Sequence, residues 1–169
     1  NLKLNCVMNK GELKIRYAER KDVGWILKFI KAIADYEKLL NEVVATEDIL
    51  NEWVFDKKRA EVLIGEVDGT PVGFALFFHN FSTFKGRSGL YLEDLFVYPE
   101  YRGNGYGKAL FTKLAQIAVE RKCGRYEWIC LDWNKPSIDF YLSMGATPLS
   151  EWTVYRLEGD ALQKVADKY

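Results

Sequence analysis

The chain has 169 residues, 49% apolar and 28% charged, which fits one domain with a sizeable core. Its 24 basic and 24 acidic residues cancel, excluding the field that nonspecific nucleic-acid or anionic-membrane binding draws on. Three cysteines without a close pair and a single histidine, His79, argue against a disulfide framework or a metal centre and for a reducing, cytoplasmic setting.

No apolar run approaches the roughly 18 residues of a membrane span, and Asn1–Glu12 lacks a signal-peptide core. Residues 1–12 are set aside as a leader or appended segment, with Asn1–Val7 ahead of an internal Met8, and residues 13–169 are taken as one domain. From Lys14 the chain alternates as a strand, and Asp22 then opens an amphipathic helix carrying Val23, Ile26, Leu27, Ile30, Ile33 and Ala34. Thr46, followed by Glu47 and Asp48, caps a second helix with Ile49, Leu50, Trp53 and Val54 as its apolar stripe. Glu61–Val67 and Val72–Phe78 flank Asp68-Gly69, a hairpin signal, because both residues tolerate positive φ. A loop at Asn80–Gly89 leads to a strand at Leu90–Val97.

After Pro99 a glycine cluster feeds a long helix with Leu110, Leu114, Ile117 and Ala118 inward, ending near Cys123-Gly124. Tyr126–Leu131 is expected as the next strand, Asn134-Lys135-Pro136-Ser137 as a helix start with Gly145 past its end, Trp152–Leu157 as a last strand and Asp160–Lys168 as a final helix. This order predicts an α/β or α+β mixed sheet with helices on both faces, whose central parallel pair is Leu90–Val97 with Tyr126–Leu131.

Arg102-Gly103-Asn104-Gly105-Tyr106-Gly107-Lys108 lies between a strand and a helix, where unpaired amides and the helix dipole favour an anion. The spacing excludes a P-loop, since Gly103 to Lys108 is too short and Ala109 replaces the magnesium-binding hydroxyl, and it also departs from the dinucleotide fingerprint. Together with Tyr91-Leu92-Glu93-Asp94-Leu95-Phe96-Val97 upstream, Asn134–Tyr141 downstream and Ala34-Asp35-Tyr36-Glu37, the cluster resembles the GNAT acetyltransferase superfamily, specifically its spermidine/spermine N-acetyltransferase-like branch. The resemblance spans about Leu13 to Lys168. It implies a mostly antiparallel sheet with a splayed central parallel pair, acetyl-CoA as cosubstrate, no metal, and a homodimer.

By the same resemblance the segment from Arg102 through Gly103, Asn104, Gly105, Tyr106 and Gly107 to Lys108 binds the CoA pyrophosphate. Leu95, Phe96 and Val97 offer the strand edge to pantetheine, and Asn134, Pro136 and Ser137 complete the cofactor contacts. Acetyl transfer to an amine needs a neutral nucleophile, and at a pKa of about 10.4 only roughly one amine in 2,500 is neutral at pH 7, a cost of about 4.6 kcal/mol. Alternation sends Glu93 and Asp94 to opposite faces unless a bulge intervenes. The resemblance implies Glu93 as the base, Asp94 as a partner of the ammonium, and Tyr141 as the acid that protonates the departing thiolate. A backbone amide near Leu95 polarises the carbonyl. Cys130, alone in an apolar strand, reads as core packing, so transfer is expected to be direct.

Tyr36 and Glu37 match substrate-contacting positions of the resembling family. Lys85 stands where the polyamine-specific enzymes carry a Trp, and Trp152 and Thr153 where an acidic pair is expected. Fewer acids favour a small primary amine, such as thialysine, a lysine-like amino acid or a short diamine, over spermine. Two rivals stay open: a protein or peptide N-acetyltransferase, and a CoA-binding module without catalysis.

Overall fold

The computed structural model describes residues 11–168; residues 1–10, which include Cys6 and most of the segment expected as a leader, and Tyr169 lie outside them. The chain divides into two compact units, one running to Ile129 and the other from Cys130 onward.

The first unit is built on a five-stranded sheet. Strands β1 (Lys14–Tyr17), β2 (Glu61–Val67), β3 (Thr70–Phe78), β6 (Leu90–Val97) and β7 (Tyr126–Glu127) lie in that order. All pairs are antiparallel except β6 with β7. The β2–β3 turn forms as expected, with Asp68 at φ 50° and Gly69 at φ 78°. A small separate hairpin, β4 (Phe81–Ser82) with β5 (Arg87–Ser88), occupies the segment expected as loop.

Helix α1 (Val23–Tyr36) starts where the sequence puts it. Asp22 is buried there because Arg16 of β1 grips both its oxygens, at 2.7 and 2.8 Å. The helix lays Ile26 and Phe29 on the sheet face that carries Ile64, Phe74 and Phe96, and Phe29 stacks on Phe74 at 5.1 Å between ring centres. The alternate residues Leu63, Phe77 and Leu92 are also buried, on the side where α3 (Tyr106–Glu120) packs with Leu110, Leu114 and Ile117.

Two further expectations in this unit need correction. The second helix is a single turn, α2 (Glu47–Leu50), capped by Thr46 as predicted but continued by a π-helical stretch, Asn51–Asp56. The wider spacing buries Leu50 and Val54 and turns Ile49 and Trp53 outward, where Lys57 sits 3.9 Å from the centre of the Trp53 ring. The strand expected over Tyr126–Leu131 forms only at Tyr126 and Glu127, opposite Leu90 and Tyr91. Beyond Glu127 no ladder holds the chain, and Ile129 is exposed.

The second unit holds α4 (Lys135–Ser143) and α5 (Gly159–Ala166). The strand expected at Trp152–Leu157 is absent: the segment is irregular, with Trp152 81% and Tyr155 92% exposed. Alternating apolar residues make a strand only beside a partner that takes up their amides and carbonyls, and residues 130–168 contain no strand at all.

Candidate active site

The central feature lies on β6. Leu92 pairs with Phe77 and Asp94 with Leu76, so Glu93 is an extra residue without a partner on β3. That bulge breaks the alternation which would otherwise separate the two acids. Asp94 shares the face of its partner Leu76, which packs against the α1 cluster, and is half-buried, while Glu93 is exposed.

Loss of solvent pushes the Asp94 carboxyl up to about 7, with added repulsion from Glu93 and then Glu37. Glu37, the residue that closes α1, is raised in the same direction by burial. Three predicted residues, Glu37, Glu93 and Asp94, therefore share one electrostatic neighbourhood. Such a group of carboxylates gains by receiving a cation.

Tyr36 stands beside Glu37 at the end of α1, and the guanidinium carbon of Arg102 lies 5.4 Å from the centre of its ring. The same guanidinium lies 5.3 Å from the Phe96 ring and donates from Nε to the Val97 carbonyl at 2.9 Å. Tyr36 and Arg102 are 66 positions apart, and nothing in the sequence signals their meeting.

The loop after Arg102 has the geometry of an anion cradle. Gly103 and Gly105 take φ of 81° and 80°, with no atom within 4 Å of where a Cβ would stand. Gly105 caps α3, whose first turn exposes amides with no helical partner. Asn104 Nδ2 ties the loop back to the carbonyls of Tyr101 and Arg102, at 2.9 and 3.3 Å. Lys108 is exposed. Tyr106 has a buried ring and its hydroxyl donates to the Gly11 carbonyl, which leaves its backbone amide, not its side chain, for an anion.

Leu95, Phe96 and Val97 pair with Ala75, Phe74 and Gly73 on one side. Because β7 stops at Glu127, no described strand covers their other edge. An extended ligand with alternating donors and acceptors would find a ladder there.

The remaining predicted residues belong to the second unit. Asn134 is buried and caps α4, accepting from the Ser137 amide at 3.4 Å, with exposed Pro136 in the first turn. Tyr141 is half-buried on the same helix, its ring 5.4 Å from that of Phe140. Cys130 lies outside any strand and is half-buried, which corrects its reading as a core strand residue. His79 is structural: Nδ1 lies 2.8 Å from the Gly89 carbonyl and Nε2 2.8 Å from Arg121. Among the described residues no His, Cys, Asp and Glu group could hold a metal ion, and no helix is long and apolar enough to cross a membrane.

Comparison with known proteins gives this geometry a context. The family model described as acetyltransferase (GNAT) family matches residues 29–146. Thialysine N-epsilon-acetyltransferase of Sus scrofa is 39% identical over 166 residues, covering 91% of this chain and 97% of the relative. A tyramine N-feruloyltransferase of Nicotiana tabacum is 43% identical over 219 aligned positions, covering 99% and 97%. Among solved structures, an integron cassette protein of V. cholerae superposes with a TM-score of 0.77 at 28% identity, covering 92% of this chain and 98% of that one.

Proposed function

The chain belongs to the acetyltransferase (GNAT) family, and on that premise we propose that this N-acetyltransferase moves an acetyl group from acetyl-CoA directly to the primary amine of a small cation such as thialysine, a lysine-like amino acid or a short diamine. One observation carries the choice of substrate: Asp94, on the α1 face of the bulged strand, is held near neutrality by burial and by Glu93 and Glu37. An arriving ammonium reverses that cost and draws Asp94 into its ionised form.

Acetyl-CoA supplies the activated thioester. The amides after Gly103 and Gly105, with Lys108, bind its pyrophosphate, and the edge of Leu95, Phe96 and Val97 that no described strand pairs with aligns its amide-bearing arm, with Asn134, Pro136 and Ser137 completing the contacts. Tyr36, Glu37 and Asp94 orient the amine. Exposed Glu93 takes its proton through water, the amide near Leu95 polarises the carbonyl, and Tyr141 protonates the thiolate as it leaves. We further infer a cytoplasmic homodimer, for which exposed Trp152, Val154 and Tyr155 supply apolar surface.

A thiol-release assay with acetyl-CoA against thialysine, lysine, ornithine, short diamines, spermine and a peptide panel tests this. Turnover is expected to be fastest with the small diamino compounds. Turnover on peptides alone would establish the protein-modifying alternative, and CoA binding without thiol release from any amine would establish a non-catalytic module. The tobacco relative supports one further arm, feruloyl-CoA with tyramine; a higher kcat/KM there than with acetyl-CoA and thialysine would reassign both donor and acceptor.

A further inference from the structure

We infer that Arg102 is a positioning residue that couples the two substrates, so that CoA on the glycine loop and the amine at the end of α1 each strengthen the binding of the other. The inference rests on the acetyl-transfer reading and adds to it a link between sites that the reading treats separately. Arg102 immediately precedes Gly103 and so shares the backbone of the phosphate loop. Its side chain, however, runs towards the amine side: Nε donates to the Val97 carbonyl at 2.9 Å, and the guanidinium carbon lies 5.3 Å from the centre of the Phe96 ring and 5.4 Å from that of Tyr36.

The two rings differ in burial. Phe96 is buried and packed against Phe29 and Tyr98. Tyr36 is the last residue of α1 and 40% exposed, next to Glu37. Ordering the loop around an anion fixes Arg102, and a fixed guanidinium holds the Tyr36 ring by cation–π attraction, which orders the amine side. A bound amine that orders Tyr36 acts back through the same contact. Linkage requires both effects to be equal. A cation–π contact at an exposed site sets the factor at about two- to five-fold.

The test uses CoA, which has no acetyl group to transfer, with thialysine, both measured by calorimetry. In the parent protein CoA is expected to lower the Kd of thialysine about two- to five-fold, and thialysine to lower the Kd of CoA by the same factor. Arg102→Met and Tyr36→Leu should each bring that factor to one, whereas Tyr36→Phe, which keeps the ring, should preserve it. Circular dichroism and thermal midpoints identify any variant that fails to fold, and should Arg102→Met fail, the Tyr36 pair still decides. A factor of one in the parent, or an undiminished factor in Tyr36→Leu, overturns the inference. If both ligands bind and turnover is seen without coupling, only the coupling is lost. If the parent binds no CoA, or no thialysine while every amine stays inert, the acetyl-transfer reading falls and the coupling with it.

Discussion

Replacing Asp94 by Asn removes the charge that the fold tolerates least. Moving a carboxyl from 3.8 to about 7 corresponds to about 4 kcal/mol at roughly 1.4 kcal/mol per pH unit. The unfolded chain releases this proton near 3.8, whereas the folded chain keeps it to about 7. Between those values the folded state binds more protons, so stability falls as pH rises through the window and levels off above it. Solvent reaching the partly exposed side chain reduces the effect between pH 5 and 8 to about 2 kcal/mol, or about 4 to 8 °C in thermal midpoint for a protein of this size. The substituted amide has nothing to ionise, so the midpoint of Asp94→Asn minus that of the parent should grow by this amount from pH 5 to 8 in thermal melts. The same variant should raise the KM for the amine about ten-fold by loss of a charged hydrogen-bond partner. A midpoint difference that stays constant across this range would refute the account of Asp94.

Tyr141→Phe should lower kcat by about a hundred-fold or more while leaving the Kd for CoA within a few-fold, as measured by thiol release and calorimetry. Gly105→Ala meets no steric obstacle but must hold φ near 80°, so it should cost about 1 to 2 kcal/mol in denaturant melts and weaken CoA binding, with Gly105→Asn costing less. Phe29→Ala removes the ring stacked on Phe74 at the centre of the α1 cluster and should cost about 3 to 5 kcal/mol by the same melts.

Features governed by neighbours along the chain were legible in the sequence. The Asp68-Gly69 turn, the Thr46 and Asn134 caps, the glycine cluster at the head of α3 and the amphipathic course of α1 each rest on a few adjacent residues, and each formed where expected. Features set by a partner elsewhere were not. The length of β7 depends on how far β6 and the chain after Tyr126 stay in register, and Trp152–Leu157 carries a strand-like pattern with no strand in its own unit to pair with. The contact of Arg102 with Tyr36 belongs to the same class. Within the acid pair, the family resemblance pointed to Glu93 as the base, but only the packing of α1 against Leu76 distinguishes Asp94 as the carboxyl displaced towards neutral pH.

The bulge at Glu93 makes this neighbourhood sensitive to chain length as well as to composition. Removing Glu93 altogether would let β6 pair with β3 residue for residue, a gain for the ladder, and would leave every other acid in the chain unchanged. A substitution subtracts one function from the strand; a deletion of one residue would trade that function for regular pairing. The position of Glu93 thus stands where an insertion or loss of a single codon could separate a smooth strand from one that keeps two adjacent carboxyls out of strict alternation.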